Sequence, residues 1–223
     1  MVVSTEVVQR WGGGGHGVPV TLQEFLADRG MGAAQPRPAL DLAAVDVRPS
    51  RIAAEEIAGL GCAYEYDDMV RLRCSGGFSF IDLCRRRWSD SALPAVDVVL
   101  LPRSHDDVRR ILDAAREKQW AVVPFGGGTS VVDGVDVTDR LTVGVAFWEM
   151  NSVLDLDTET GEVRVQPGIG GPELERWLEA RGFTWGHIPQ SWERATVGGY
   201  VATRSAGQTS TGFGRADATV TKL

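Results

Sequence analysis

Three consecutive glycines, Gly126-Gly127-Gly128, follow the apolar run Val122-Val123-Pro124-Phe125 and lead into Thr129 and Ser130. Glycine reaches φ > 0 and has no side chain, so such a turn lets successive backbone N–H groups converge on an anion. The two hydroxyls add donors. A plain surface turn is the competing reading. The flanking sequence favours the first. Residues 96–101 form a buried-strand run stopped by Pro102. Ser104 and Asp107 then make a capping box, and Val108, Ile111, Leu112 and Ala115 share one helical face. The next strand, residues 120–124, closes a β-α-β unit and puts the glycines at its C-terminal end, where open α/β layers hold ligands.

Two familiar phosphate loops are excluded by spacing. A Walker loop ends in Gly-Lys-Ser/Thr, and no Lys is present here. A Rossmann fingerprint using Gly126 and Gly128 needs glycine at the position of Val131.

Further strands are expected at residues 141–147, 152–156 and 162–166, the last two joined by a hairpin loop ending in Gly161. Pro172 suits the first position of a helix with Leu174, Trp177 and Leu178 on one face and Gly182 as its stop. Small and hydroxyl residues then dominate 196–207, a second place where backbones can approach closely. Upstream, the pattern predicts a short helix behind Thr21 ending near Gly30, a helix over 51–60, and an exposed strand around Met69 to Arg73. Residues 78–83 fit a strand or a helix start equally. Arg85-Arg86-Arg87 reads as a solvated face. The glycine-rich stretch from Trp11 to Gly17 reads as an irregular arm, and its His16 is given no role.

With 223 residues, 43% of them hydrophobic, the chain can bury a core in one or two domains. Its 30 acidic and 23 basic residues give −7, which argues against a nucleic-acid or anionic-membrane partner. Any bound phosphate is therefore expected on backbone amides. Cys62, Cys74 and Cys84 have no CxxC spacing, so neither a disulfide framework nor a zinc site is expected. No metal ligand is assigned. The sequence has no 18-residue apolar span and no signal-peptide pattern, and a cytoplasmic location is the expectation.

The stretches PFGGGTS, GHIPQS (186–191) and ATVGGYVATRSAG (195–207), with YDDMVR (66–71) and PRSHDDV (102–108), resemble the FAD-binding domain of the vanillyl-alcohol-oxidase-type flavoproteins. Within that group they are most similar to FAD-linked oxidases of the alkyl-dihydroxyacetonephosphate synthase type. The resemblance implies an α+β fold: a PCMH-type FAD-binding domain of two small α/β subdomains over 92–223, incomplete at its C-terminus. A helical or irregular region over 1–91 precedes it.

The resemblance also implies the site. Pro124, Phe125, Gly126, Gly127, Gly128, Thr129 and Ser130 would wrap the FAD pyrophosphate, with Gly127 facing it at φ > 0, so that Val there would fill ligand space. Gln190, Ser191 and Thr196 would pass near the flavin. Gly198, Gly199, Thr203, Arg204, Ser205 and Ala206 would complete the cradle. Gln190 stands where the family commonly has Asp. His187 reads first as a structural loop histidine, with no carboxylate partner to make it a base. Relatives with covalent flavin use a histidine within the glycine loop, so FAD is expected to be non-covalent here. The implied chemistry is exchange of an acyl group for a fatty alcohol without net redox change, or oxidation of a 2-hydroxyacid or alcohol. Its catalytic residues would lie beyond Leu223, and the complete enzyme would take a small-molecule or lipid-like substrate, as a homodimer. A truncated, non-catalytic product is the other reading.

Overall fold

The computed structural model describes residues 24, 27–30, 45–88, 92–135, 137 and 139–223. The arm containing His16 and most of the helix expected behind Thr21 lie outside these residues. The end of that helix lies within them: Asp28 N–H donates to Glu24 C=O at 3.0 Å, and Gly30 has φ 66°.

Four strands build the first sheet: β1 (Ala63–Glu65), β2 (Val98–Leu101), β3 (Ala121–Phe125) and β4 (Thr142–Ala146). The order is β1-β2-β4-β3, with β1 antiparallel to β2 and the other pairs parallel. Central β4 is buried along its whole length, as expected for a parallel strand covered on both faces. Alternation splits β2 between two cores. Val98 and Leu100 join Val143 and Val145 beneath helices α1 (Ala54–Ala58) and α4 (His105–Glu117), through Ile57, Ile111 and Ala115. Val99 joins Phe125 and Ala146 against Val70 and Cys74 of the opposite layer. Helix α4 starts at the expected box, Asp107 N–H donating to Ser104 Oγ at 3.1 Å, but Leu112 faces solvent and Ala115 completes the packed stripe.

Three upstream expectations are corrected. The helix expected over 51–60 is confined to α1. Met69 to Arg73 belong to a helix, α2 (Asp68–Arg73), because the Asp67 carboxylate caps it, accepting from Met69 and Val70 N–H at 3.0 Å. Its Val70, Arg71 and Leu72 are buried. Arg71 is tolerated there because its guanidinium donates to Val96 C=O and Arg48 C=O and pairs with Asp68 at 2.7 Å. The ambiguous stretch is α3 (Phe80–Trp88), started by Ser79 and Asp82, each bonded to the other. The arginine run on α3 is not uniformly solvated, since Arg86 is turned inward and its Nη2 is buried.

A second layer follows. Strands β5 (Val153–Asp157) and β6 (Glu162–Val165) form an antiparallel hairpin covered by α5 (Gly171–Glu179) and α6 (Val197–Ala202) around Leu174, Leu178, Val197 and Tyr200. Gly168 joins the two layers. Its N–H donates to Met150 C=O at 2.7 Å, and a Cβ would overlap the Phe147 carbonyl. Two short helical turns, α7 (Ser210–Phe213) and a 3-10 turn at Ala216–Thr219, end the described chain.

Candidate functional site

Strand β3 delivers the glycine loop from its C-terminal end. Phe125, the last strand residue, is 3% exposed and meets Trp148 edge-on at 6.1 Å between ring centroids. Trp148 Nε1 donates to Gly126 C=O at 3.2 Å. Gly126 and Gly127 press against a second segment, where added Cβ atoms would collide with Thr196 Oγ1 and the Arg194 carbonyl. Of the three glycines only Gly128 has positive φ, 68°, and it sits over the Phe125 ring. The expectation for Gly127 is therefore corrected: its open side faces protein backbone, and its φ is not positive. At the far end Ser130 C=O accepts from Phe78 N–H at 2.6 Å. The loop is thus gripped by residues 77–78 and 194–196, while its N–H groups from Gly126 to Ser130 donate to no described residue.

Two clefts adjoin this loop. One, of about 350 Å³, is lined by Arg73, Phe78, Arg86 and Gly128 among others. The other, of about 320 Å³, is lined by Gly126, Trp148, Asn151, Gly168, Gly170 and Thr196 among others. Both share Arg73, Gly127, Glu193 and Arg194. The Arg73 guanidinium lies 4.7 Å over the Trp148 ring. Burial lowers the pKa of Arg73 and of Arg86. Arg86 Nη2 is buried without a hydrogen-bond partner among the described residues.

Sequence reasoning expected a phosphate on backbone amides, the Thr129 and Ser130 hydroxyls and a cradle containing Arg204, and missed Arg73 and Arg86. A helical reading of 80–88 puts Asp82 and Arg86 four apart on one face, and that spacing was the available signal.

The predicted residues fall into three groups. Phe125, Gly126, Gly127, Gly128 and Thr196 line the clefts. Pro124 is exposed on β3, and Thr129 and Ser130 are half-buried in the loop. Ser191 anchors a turn, its C=O accepting from Arg194 and Ala195 N–H, with Gln190 exposed beside it. The third group follows the N-cap of α6, where Thr196 Oγ1 accepts from Gly199 N–H at 3.3 Å and Gly198 lies against Pro167. Beyond the helix Thr203 Oγ1 donates to Gly199 C=O and Arg204 has φ 52°. Ser205 C=O accepts from Ala216 N–H, and Ala206 is exposed. Thr203, Arg204, Ser205 and Ala206 line neither cleft.

His187 lines neither cleft. It is 2% exposed, its ring 5.1 Å from those of Trp185 and Tyr200.

Residues 96–223 match a family described as FAD binding domain. The chain belongs to that family. Among curated relatives of this FAD binding domain chain, the alkyldihydroxyacetonephosphate synthase of Dictyostelium discoideum is 33% identical over 184 residues, covering 79% of this chain and 30% of the relative. The mitochondrial D-lactate dehydrogenase [cytochrome] of Arabidopsis thaliana is 36% identical over 118 residues, covering 53% and 20%. A solved alkyldihydroxyacetonephosphate synthase superposes with TM-score 0.78 at 30% identity, over 90% of this chain and 38% of that one. The chain thus spans under a third of these curated relatives. The α+β, PCMH-type fold read from the sequence is the one observed. No helix among the described residues is long and apolar enough to cross a membrane.

Proposed function

We propose that this FAD binding domain holds the dinucleotide non-covalently, its pyrophosphate at Gly126 to Ser130 and its two ends reaching into the two clefts that share Gly127. The carrying observation is the loop itself: half-buried, fixed at both ends, with five successive N–H groups that donate to no described residue. An extended dianion suits that donor row and the adjoining guanidinium groups. The loop contains no histidine or cysteine to form a flavin link.

Bound FAD would supply redox or group-transfer chemistry at its ring. The protein's share is to fix the pyrophosphate and exclude water along the clefts. For the complete enzyme we favour exchange on an acylated dihydroxyacetone phosphate, since the Dictyostelium synthase matches 79% of this chain and the D-lactate dehydrogenase 53%. Oxidation of a 2-hydroxyacid is the second reading, favoured by the D-lactate dehydrogenase match.

The test of binding is an FAD titration followed by flavin fluorescence and thermal unfolding. At ligand about 100-fold above Kd the native state gains roughly 2.7 kcal/mol, a clear rise in Tm. An unchanged Tm and unquenched fluorescence at millimolar FAD would overturn the proposal.

A further inference from the structure

We propose that the arginine-lined cavity beside Gly127 and Gly128 is a phosphoryl-anion site built by α2 and α3, with Arg86 and Arg73 as its charged ligands. Both arginines precede residue 96, so they lie outside the segment that matches the FAD binding domain family. The cavity, about 350 Å³, is at the small end of ligand clefts, which run from about 300 Å³ upward.

The charge arrangement asks for an anion. Arg73 is desolvated, rests on an aromatic face and has no carboxylate partner among the described residues. Arg86 has Asp82 nearby, but that carboxylate is also engaged by Gly77 N–H at 3.0 Å and Ser79 Oγ at 2.9 Å. The Arg86 Nη2 is buried with no acceptor among the described residues. Arg194 adds a third guanidinium to the lining, and Glu193 is the only carboxylate there among the described residues. Desolvated cations without full pairing are costly, and this chain carries a net charge of −7 that could have supplied partners. A tetrahedral phosphoryl group accepts from several N–H donors at once and fits guanidinium geometry.

Two sources offer that chemistry: the pyrophosphate of bound FAD, or the phosphate of a separate ligand. The first rests on the flavin reading above, whereas the anion site stands without it.

The experiment is calorimetry on the full chain with FAD and, separately, inorganic pyrophosphate, comparing the parent with Arg86→Gln, Arg86→Lys and Arg85→Gln. Circular dichroism checks that each is folded. The expected result is measurable pyrophosphate binding to the parent, weakened at least tenfold by Arg86→Gln, partly kept by Arg86→Lys and untouched by Arg85→Gln. A parallel loss for FAD assigns the cavity to the dinucleotide, and FAD affinity unchanged while pyrophosphate is lost assigns it to a second ligand. A parent that takes pyrophosphate but not FAD sinks the flavin reading and leaves this site standing. If folded Arg86→Gln binds pyrophosphate like the parent, or the parent binds none, the site does not exist; should Arg86→Gln not fold, Arg73→Gln replaces it under the same criteria.

Discussion

Gly127 abuts the carbonyl of Arg194 so closely that the two segments leave no room for a side chain between them. The glycine is demanded by the protein's own backbone before any ligand arrives. Gly127→Val should therefore push the 194–196 segment away and lower Tm even without flavin. Overpacking of this kind costs about 1–3 kcal/mol. Urea unfolding without FAD checks it, and a parent-like midpoint would mean that the contact yields at no cost.

Asp97 is fully buried and receives Arg51 in a two-point bond, Nε to Oδ1 and Nη2 to Oδ2 both at 2.9 Å. It also accepts from Thr142 N–H at 2.7 Å, tying the start of β4 to the start of β2. Burial pushes its pKa up, but the bonds from Arg51 and Thr142 outweigh burial and hold the carboxyl below its ordinary value. Folded Asp97 thus binds a proton less readily than unfolded Asp97. Its stabilisation is present above the unfolded value, about pH 4, and is lost as pH falls through the native one. Asp97→Asn should cost about 3 kcal/mol at pH 7, the low end for breaking a buried pair because Arg51 is one-third exposed. Urea midpoints from pH 7 to 3 check this, and the variant should lose less on acidification than the parent.

His187 gives a second pH dependence. Neither ring nitrogen has a hydrogen-bond partner among the described residues, and burial lowers its pKa. The unfolded chain takes up the proton first, so stability is full above the unfolded value of about 6.5 and declines as pH falls toward the native one. His187→Phe keeps an aromatic ring beside Trp185 and Tyr200 and should flatten the difference in unfolding free energy between pH 7.5 and 5.5. An unchanged difference would show that other groups carry it.

Flavin should leave on acid precipitation, since no side chain from Gly126 to Ser130 can form the link. Yellow colour kept in the washed pellet would reverse the non-covalent assignment.

The β-α-β unit and its loop were legible because each signal was local: the box at Ser104, the apolar face of α4, and glycines after a strand. The family resemblance was legible for a similar reason, resting on short ordered motifs. What escaped was set by tertiary contact. Alternation at 69–73 imitates a strand, and only the cap at Asp67 with the buried bonds of Arg71 turns it into a helix. Arg86 looked like surface because its burial depends on α3 meeting a loop more than forty residues downstream in sequence, at Gly127 and Gly128. Nothing near Gly127 in sequence announces Arg194 either.

Strand β1 lies upstream of the family-matched segment yet pairs along β2, from Ala63 opposite Leu101 to Glu65 opposite Val99. The edge of the family-matched segment is therefore not a limit of cooperativity. A piece excised at residue 96 would bare one hydrogen-bonding edge of β2, whose Val98, Val99 and Leu100 are fully buried, and remove Val70 and Cys74 from the layer beneath. Transplanting the flavin module between proteins would require carrying this upstream collar with it, so recombination that cuts at the start of the family-matched segment should yield chains that associate edge to edge.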